Sequence, residues 1–252
     1  MSDAIRNMFG ELPRVYELIN HVVSLGMDVP WRKRAARLAS EKGGAVWLDV
    51  STGTGEMAAY LRRRAEPGTT VIATDFSMPM LLSAGKKKEA VLEGGDTVSG
   101  PTLGRRGINL LMADTRRLPF LSGSLDLVTI SMGTRNINTS AAALRSCLEE
   151  FHRVLKPGGW FVNLETSQPE SEAVKSLFHA YVRNILRPVG ALISGSRSAY
   201  SYLASTICSF YGAEELAEII RAAGFRSVTF ERLFFGVAAV HVAEKGGAGD
   251  AR

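Results

Sequence analysis

Cysteine is scarce in this chain of 252 residues, and long apolar runs are missing from it. Cys147 and Cys208 show no C-x-x-C spacing, which argues against a disulfide framework and against a zinc site. No apolar stretch reaches the ~18–20 residues that a membrane span needs. The opening MSDAIRNMFGELPR has no apolar core of the signal-peptide kind, so a cytoplasmic protein is expected. Charge of one sign is also in short supply. A net +5 suits an anionic cofactor or an anionic membrane surface, and it is too diffuse to call for nucleic acid. With 46% hydrophobic and 22% charged residues, the composition is that of a globular chain able to bury one substantial core.

What is present is an alternation. Residues 1–42 read as helices, with apolar positions recurring at helical spacing from Val15 to Leu25. Short apolar runs ending near polar or glycine-rich loops follow at 45–50 (AVWLDV), 70–75 (TVIATD), 108–114 (INLLMAD), 125–132 (LDLVTISM) and 160–166 (WFVNLET). Helical patterns separate them, at 56–64, 79–89 and 140–155, and an exposed loop is expected at 94–107. This spacing predicts an α/β fold with a doubly wound, mostly parallel sheet of seven strands. The last two strands lie near 227–233 and 236–243, after a helix over 213–223. The stretch 171–208 departs from the alternation. It is helical in pattern, with a break expected at Pro188-Val189-Gly190, and an insertion of this kind usually sits over the strand ends where ligands bind. The expected organisation is a single domain: a helical cap from 1–42 and 171–208 over a core of 43–170 and 209–243.

The segment LDVSTGTGEMA joins the first strand to its helix through Gly53 and Gly55. Glycines there let the backbone turn sharply and approach a ligand, and the helix behind them offers unpaired N–H groups. Gly53-Thr54-Gly55-Glu56-Met57-Ala58 also satisfies the dinucleotide pattern G-x-G-x-x-A, and Asp75 follows Gly55 by 20 residues, where a ribose-binding acid is expected. A nicotinamide dinucleotide and S-adenosylmethionine therefore compete for the loop. Asp49 and Glu56 tilt the choice, because carboxylates favour a sulfonium and an ammonium over a pyrophosphate.

With these residues placed, the chain resembles the ubiquinone/menaquinone biosynthesis methyltransferase family, over about residues 5–243. Arg153-Val154-Leu155-Lys156-Pro157-Gly158-Gly159 with Leu164, Glu165 and Ser167 is similar to one family signature. ADTRRLPF (113–120), LDLVTISMGTRNI (125–137), Tyr200-x-Tyr202-Leu203 and the final GVAAVH ending at His241 also match. The N-terminal signature departs from the pattern: Glu17 follows Tyr16, and Asp28 stands where the family has a histidine, ahead of Trp31.

The resemblance implies a class I methyltransferase that uses S-adenosylmethionine to C-methylate a prenylated quinol. Thr54 and the loop backbone, with Asp49, Gly53 and Gly55, would hold the methionine end. Asp75 would take the ribose hydroxyls, Asp114 and Thr115 would address the adenine, and Ser131 would complete the pocket. Arg135 is the candidate for stabilising a phenolate, His21 is a candidate base, and Asn136, Tyr200 and Tyr202 are candidate acceptor contacts. His152 and His241 are weaker candidates for the base, and His152, in the helix before the Lys156–Gly159 turn, reads as packed against the sheet. Arg183, Arg187 and Arg197 form a basic rim suited to peripheral membrane contact, and a homodimer is compatible with all of this. Other readings are a methyltransferase for another lipid or small molecule, a nicotinamide oxidoreductase, and an accessory protein that keeps the pocket without the transfer.

Overall fold

A computed structural model of the protein describes residues 21–22, 24–93 and 107–247. The helices expected before residue 21 and most of the 94–107 loop lie outside the described residues. The chain runs α1 (Asp28–Ser40), β1 (Val46–Val50), α2 (Glu56–Arg64), β2 (Thr70–Asp75), α3 (Met78–Glu93), β3 (Ile108–Met112) and β4 (Leu125–Ser131). A single turn, α4 (Thr134–Ile137), leads into α5 (Ala141–Val154) and β5 (Leu155–Thr166). Then come α6 (Glu172–Tyr181), a π-helical turn (Val182–Leu186), α7 (Arg187–Ser194), α8 (Arg197–Cys208), α9 (Ala213–Ala222), β6 (Ser227–Leu233) and β7 (Ala238–Glu244).

The sheet order is β3-β2-β1-β4-β5-β7-β6. All neighbours through β5 are parallel, and β7 runs antiparallel between β5 and β6. This is the doubly wound, seven-stranded fold that the alternation predicted. Successive residues explain why the strands read as continuous apolar runs. Trp47, Leu127 and Val162 enter one core with α1 and α2, whereas Leu48, Val128 and Phe161 enter the other with α5 and α9. With helices on both faces, the central strands β1 and β4 have no exposed position and no polar alternation arises in them. The order reverses between β1 and β4, which opens a crevice at their carboxyl ends.

Two sequence expectations shift. β5 begins at Leu155, because the Lys156–Gly159 turn is already paired: Gly158 N–H donates to the Lys245 carbonyl at 2.7 Å, and Lys245 N–H donates back to Gly159 at 2.9 Å. The helical insertion also does not break at Pro188. Helical conformation runs on from α6 through the π-helical turn into α7, and Pro188 follows directly on that turn, where the Arg187 N–H already bonds five residues back to the Val182 carbonyl. The reversal comes at Gly195, whose φ of +74° caps α7. Gly190 instead serves packing, since a Cβ there would stand 2.1 Å from the Tyr200 ring. Tyr200, Val182, Leu186, Ala204 and Ile207 form a small core of their own. The Gln168 amide ties that cap to the end of β5 by donating to the Ile207 carbonyl at 2.9 Å.

Candidate functional site

The crevice is shaped by backbone before side chains. Ser51 (φ +50°) and Met132 (φ +55°) take left-handed conformations at the ends of β1 and β4. Non-glycine residues held so cost on the order of 1–3 kcal/mol each, and such strain gathers at functional sites. A Cβ on Gly133 would lie 3.1 Å from Ser51 Cβ, so the two loops pass too closely for a side chain at position 133. Gly53 takes φ +56° and faces open space, whereas Gly55, φ +80°, lets α2 start against Ala84, which a Cβ would meet at 2.8 Å.

A polar trough follows, lined by Asp49, Gly53, Thr54, Asp75, Ser131 and Asn136 together with Arg32, Glu56 and Met132. Asp75 is buried and pins the glycine loop: Oδ2 accepts the Gly53 N–H and Oδ1 the Ser77 N–H, each at 2.9 Å. Burial raises its carboxyl against the pull of those N–H groups. Asp49 lies deeper, fully buried, and accepts the hydroxyls of Thr52 (2.6 Å) and Thr129 (2.7 Å). Burial pushes it up to about 6 despite both hydroxyls. Glu56 pairs with Arg32 at 2.7 Å, so the acidic surplus of the trough is smaller than the sequence suggested. The trough continues past Phe76, Asn136 and Ile137 to Asp114 and Thr115. There the Asp114 carboxylate is clasped by the Arg116 guanidinium, with Nε at 3.0 Å.

Met132 and Arg32 also wall a second, mainly apolar pocket beside the trough, with Trp31, Phe178, Tyr181, Leu203, Ile207 and Val237. Its charged groups among the described residues are Asp28, Arg32 and Arg135. Arg135 is both things the sequence allowed, an internal ion pair and a pocket residue. Its Nη1 donates to Glu165 Oε1 at 3.0 Å and to the Thr166 hydroxyl at 3.1 Å, its main-chain N–H reaches Glu165 Oε2 at 3.0 Å, and Glu165 is fully buried. Arg135 Nε is buried without a partner among the described residues.

The remaining candidates are placed as follows. His21 does not line either chamber. It is 53% exposed and its Nδ1 meets Asp28 Oδ1 at 3.0 Å. Tyr200 belongs to the core of the cap, and neither it nor Tyr202 lines the apolar pocket. Asn136 lies on the trough side. His241 is buried, meets the Ala213 carbonyl at 2.8 Å, and burial pushes its imidazole down to about 4. His152 packs edge-on to Phe225. Sequence reasoning passed over Arg32 and Glu165 as functional groups. The spacing of Asp28 and Arg32, one helical turn apart, was the available signal for the first. For Glu165, burial was invisible without the fold. Among the described residues there is no metal-binding group of His, Cys, Asp or Glu, and no helix is long and apolar enough to cross a membrane.

The trough's chemistry suits S-adenosylmethionine. A carboxylate at the end of β2 keeps lone pairs for a diol. Ser131 Oγ is buried without a partner among the described residues, and Gly53 leaves room for close backbone approach.

Known proteins agree with this reading. A curated relative from Thermus thermophilus, named demethylmenaquinone methyltransferase, is 41% identical over 94% of this chain and 100% of its own length. A ubiquinone/menaquinone biosynthesis C-methyltransferase of Geobacter sulfurreducens is 34% identical over 97% of this chain and 89% of its own. The solved structure of a SAM-dependent methyltransferase from Thermotoga maritima shares the fold at a TM-score of 0.57 and 16% identity, covering 91% of this chain and 96% of the other. The ubiE/COQ5 methyltransferase family model matches residues 1–245, so the chain belongs to that family and is an S-adenosylmethionine-dependent methyltransferase.

Proposed function

We propose that this enzyme methylates a ring carbon of demethylmenaquinol, with S-adenosylmethionine in the polar trough and the quinol ring in the apolar pocket. The observation that carries the reading is the shared wall. Met132 and Arg32 border both chambers, so an acceptor ring in one lies next to a cofactor in the other. The cofactor supplies a methyl group on a good leaving group, and the protein's task is position and charge. Asp75 is assigned to the ribose hydroxyls and Ser131 to the floor of the trough. Thr54, Gly53 and Gly55 shape the loop around the methionine end, with Asp49 holding that loop from below through Thr52. Asp114 and Thr115 border the adenine end.

A ring carbon becomes nucleophilic when a neighbouring hydroxyl ionises, and free phenols titrate near ~10. Arg135 is assigned to that oxygen. Glu165 fixes the guanidinium in place, and its Nε–H remains to donate. Leu186, Leu203, Ile207 and Val237 suit the start of a prenyl tail. Leu177, Ile185 and Leu192 are exposed on the cap alongside Arg183, Arg187 and Arg197, which supports peripheral contact with an anionic membrane.

The test is mass spectrometry of the product formed from short-tailed demethylmenaquinol and S-adenosylmethionine under reducing conditions. Addition of one methyl to ring carbon is expected, faster on anionic vesicles at low salt. Methyl on oxygen, or transfer only to amine or other lipid acceptors, would overturn the assignment.

A further inference from the structure

The apolar pocket holds an anion as well as a cation. Asp28 lines it from the first turn of α1, and Arg135 lines it from the turn after β4. The carboxylate is buried and heavily held. Oδ1 accepts from the Ser24 hydroxyl at 2.9 Å and meets His21 Nδ1 at 3.0 Å, and Oδ2 accepts from Arg32 at 2.5 Å. Burial raises this carboxyl, but Arg32, Ser24 and His21 together bring it below its ordinary value, so it stays ionised. A carboxylate has about four acceptor sites, and the described residues use three of them here. What remains toward the pocket can only accept a hydrogen bond.

That property discriminates between the two oxidation states of a quinone ring. The reduced ring carries two para oxygens. One can face Arg135 as a developing phenolate while the other keeps its proton and donates it. The oxidised ring carries two carbonyl oxygens, both acceptors, and one of them would be set against a carboxylate with no proton between. Among the described residues, the other titratable or charged groups at the pocket are Arg32, already shared between Asp28 and Glu56, and Tyr181, with Glu165 behind Arg135. None of these supplies a second carboxylate lining the pocket.

We propose that Asp28, acting with Arg135, makes the acceptor pocket select the reduced, hydroxyl-bearing ring and refuse the quinone. The inference rests on reading the apolar pocket as the acceptor site. It has chemical sense for the transfer, because only the electron-rich quinol carbon attacks a methyl group, and a bound quinone would occupy the site to no effect. His21 and Ser24 act through Asp28 as positioning residues that hold its carboxylate ionised and aimed.

The experiment compares binding of 1,4-naphthoquinol and 1,4-naphthoquinone to the full chain without cofactor, under anaerobic conditions. The wild type is expected to prefer the quinol by about ten- to hundredfold, the range of one charge-assisted hydrogen bond gained against one acceptor left facing a charge. Asp28→Asn, whose amide both donates and accepts, should erase most of that preference. Asp28→Glu, which keeps a carboxylate, should retain it, and this separates recognition from damage to the Arg32 pairing. Equal affinities in the wild type, or an undiminished preference in Asp28→Asn, would overturn the proposal. A wild type that prefers naphthoquinol yet fails to methylate demethylmenaquinol would defeat the substrate assignment alone.

Discussion

Arg32 aside, the polar trough takes its walls from three short stretches, 49–57, 75–80 and 131–137, each beginning at or beside the carboxyl end of a strand. The apolar pocket beside it collects Ser24, Trp31, Phe178, Leu203 and Val237 from elements spread along the chain. The first is a local product of strand-loop-helix units, so its residue types and spacing are set together. The second exists only once the cap folds back on the sheet. Local sites of this kind are held by main chain, as the Gly53 N–H on Asp75 shows, and assembled ones by packing and buried charge. Each should therefore fail in a different way.

The largest expected effect is at Arg135. Replacing it alone leaves fully buried Glu165 without its counter-charge, which costs ~3–5 kcal/mol of stability and obscures the kinetics. The informative variant is therefore Arg135→Met with Glu165→Gln. Turnover of the quinol should drop by about 10²–10³ if the guanidinium stabilises developing negative charge. Cofactor affinity by calorimetry should stay near wild type, and activity should partly recover at high pH as the hydroxyl ionises unaided. A double variant at the wild-type rate would sever Arg135 from the chemistry.

Next comes the trough. Asp75→Asn keeps an acceptor for one of the two N–H groups, of Gly53 or Ser77, and loses the charge proposed for the ribose hydroxyls. It should cut the thermal stabilisation given by S-adenosylhomocysteine while leaving the unliganded melting temperature within a few degrees. An unchanged ligand-induced shift would break the contrast between the chambers, because the β2 carboxylate would then be purely structural.

The smallest effect is a control outside both chambers. His241 has a folded-state value of about 4, below its ordinary 6.5, so the unfolded chain binds the proton more readily as pH falls. Its contribution to stability is intact above the unfolded value and is lost between about pH 6.5 and 4, worth up to ~3 kcal/mol. Denaturant titrations of wild type and His241→Gln should diverge by that order across this window, the wild type losing more on acidification. Asp49 works in the opposite sense: raised to about 6, its contribution is full below the ordinary 3.8 and fades as pH rises to 6. Wild-type acid sensitivity between these values should accordingly be shallow. A steep wild-type loss with no difference in the variant would place the sensitivity elsewhere.

The same contrast governs what could be read from the sequence. Strands covered on both faces must be apolar at every position, so β1, β2 and β4 stood out as runs, and Asp49, Gly53, Asp75 and Ser131 fell at their ends. Burial direction has no such signature in the cap. Tyr200 matched a family habit but turned into a helix interface, because Gly190 lets α7 approach it. Pro188 reads as a break, yet the helix runs through it, with a π-helical turn at Val182–Leu186 accommodating the missing N–H. Arg135 could be placed at the right strand end, whereas its partner Glu165 is thirty residues away and meets it only through the β4–β5 pairing.

Gly133 and Ser51 carry a consequence for change in this enzyme. The loops after β1 and β4 pass so closely that a Cβ at position 133 would crowd the Ser51 and Ile130 side chains, so no larger residue enters there unless one of them gives way. The apolar pocket has no comparable constraint, since much of its lining is side chains on the cap helices. If that pocket holds the acceptor as proposed, exchanging residues such as Phe178, Leu203 and Ile207 reshapes what it accepts while leaving the trough's strand-end loops untouched.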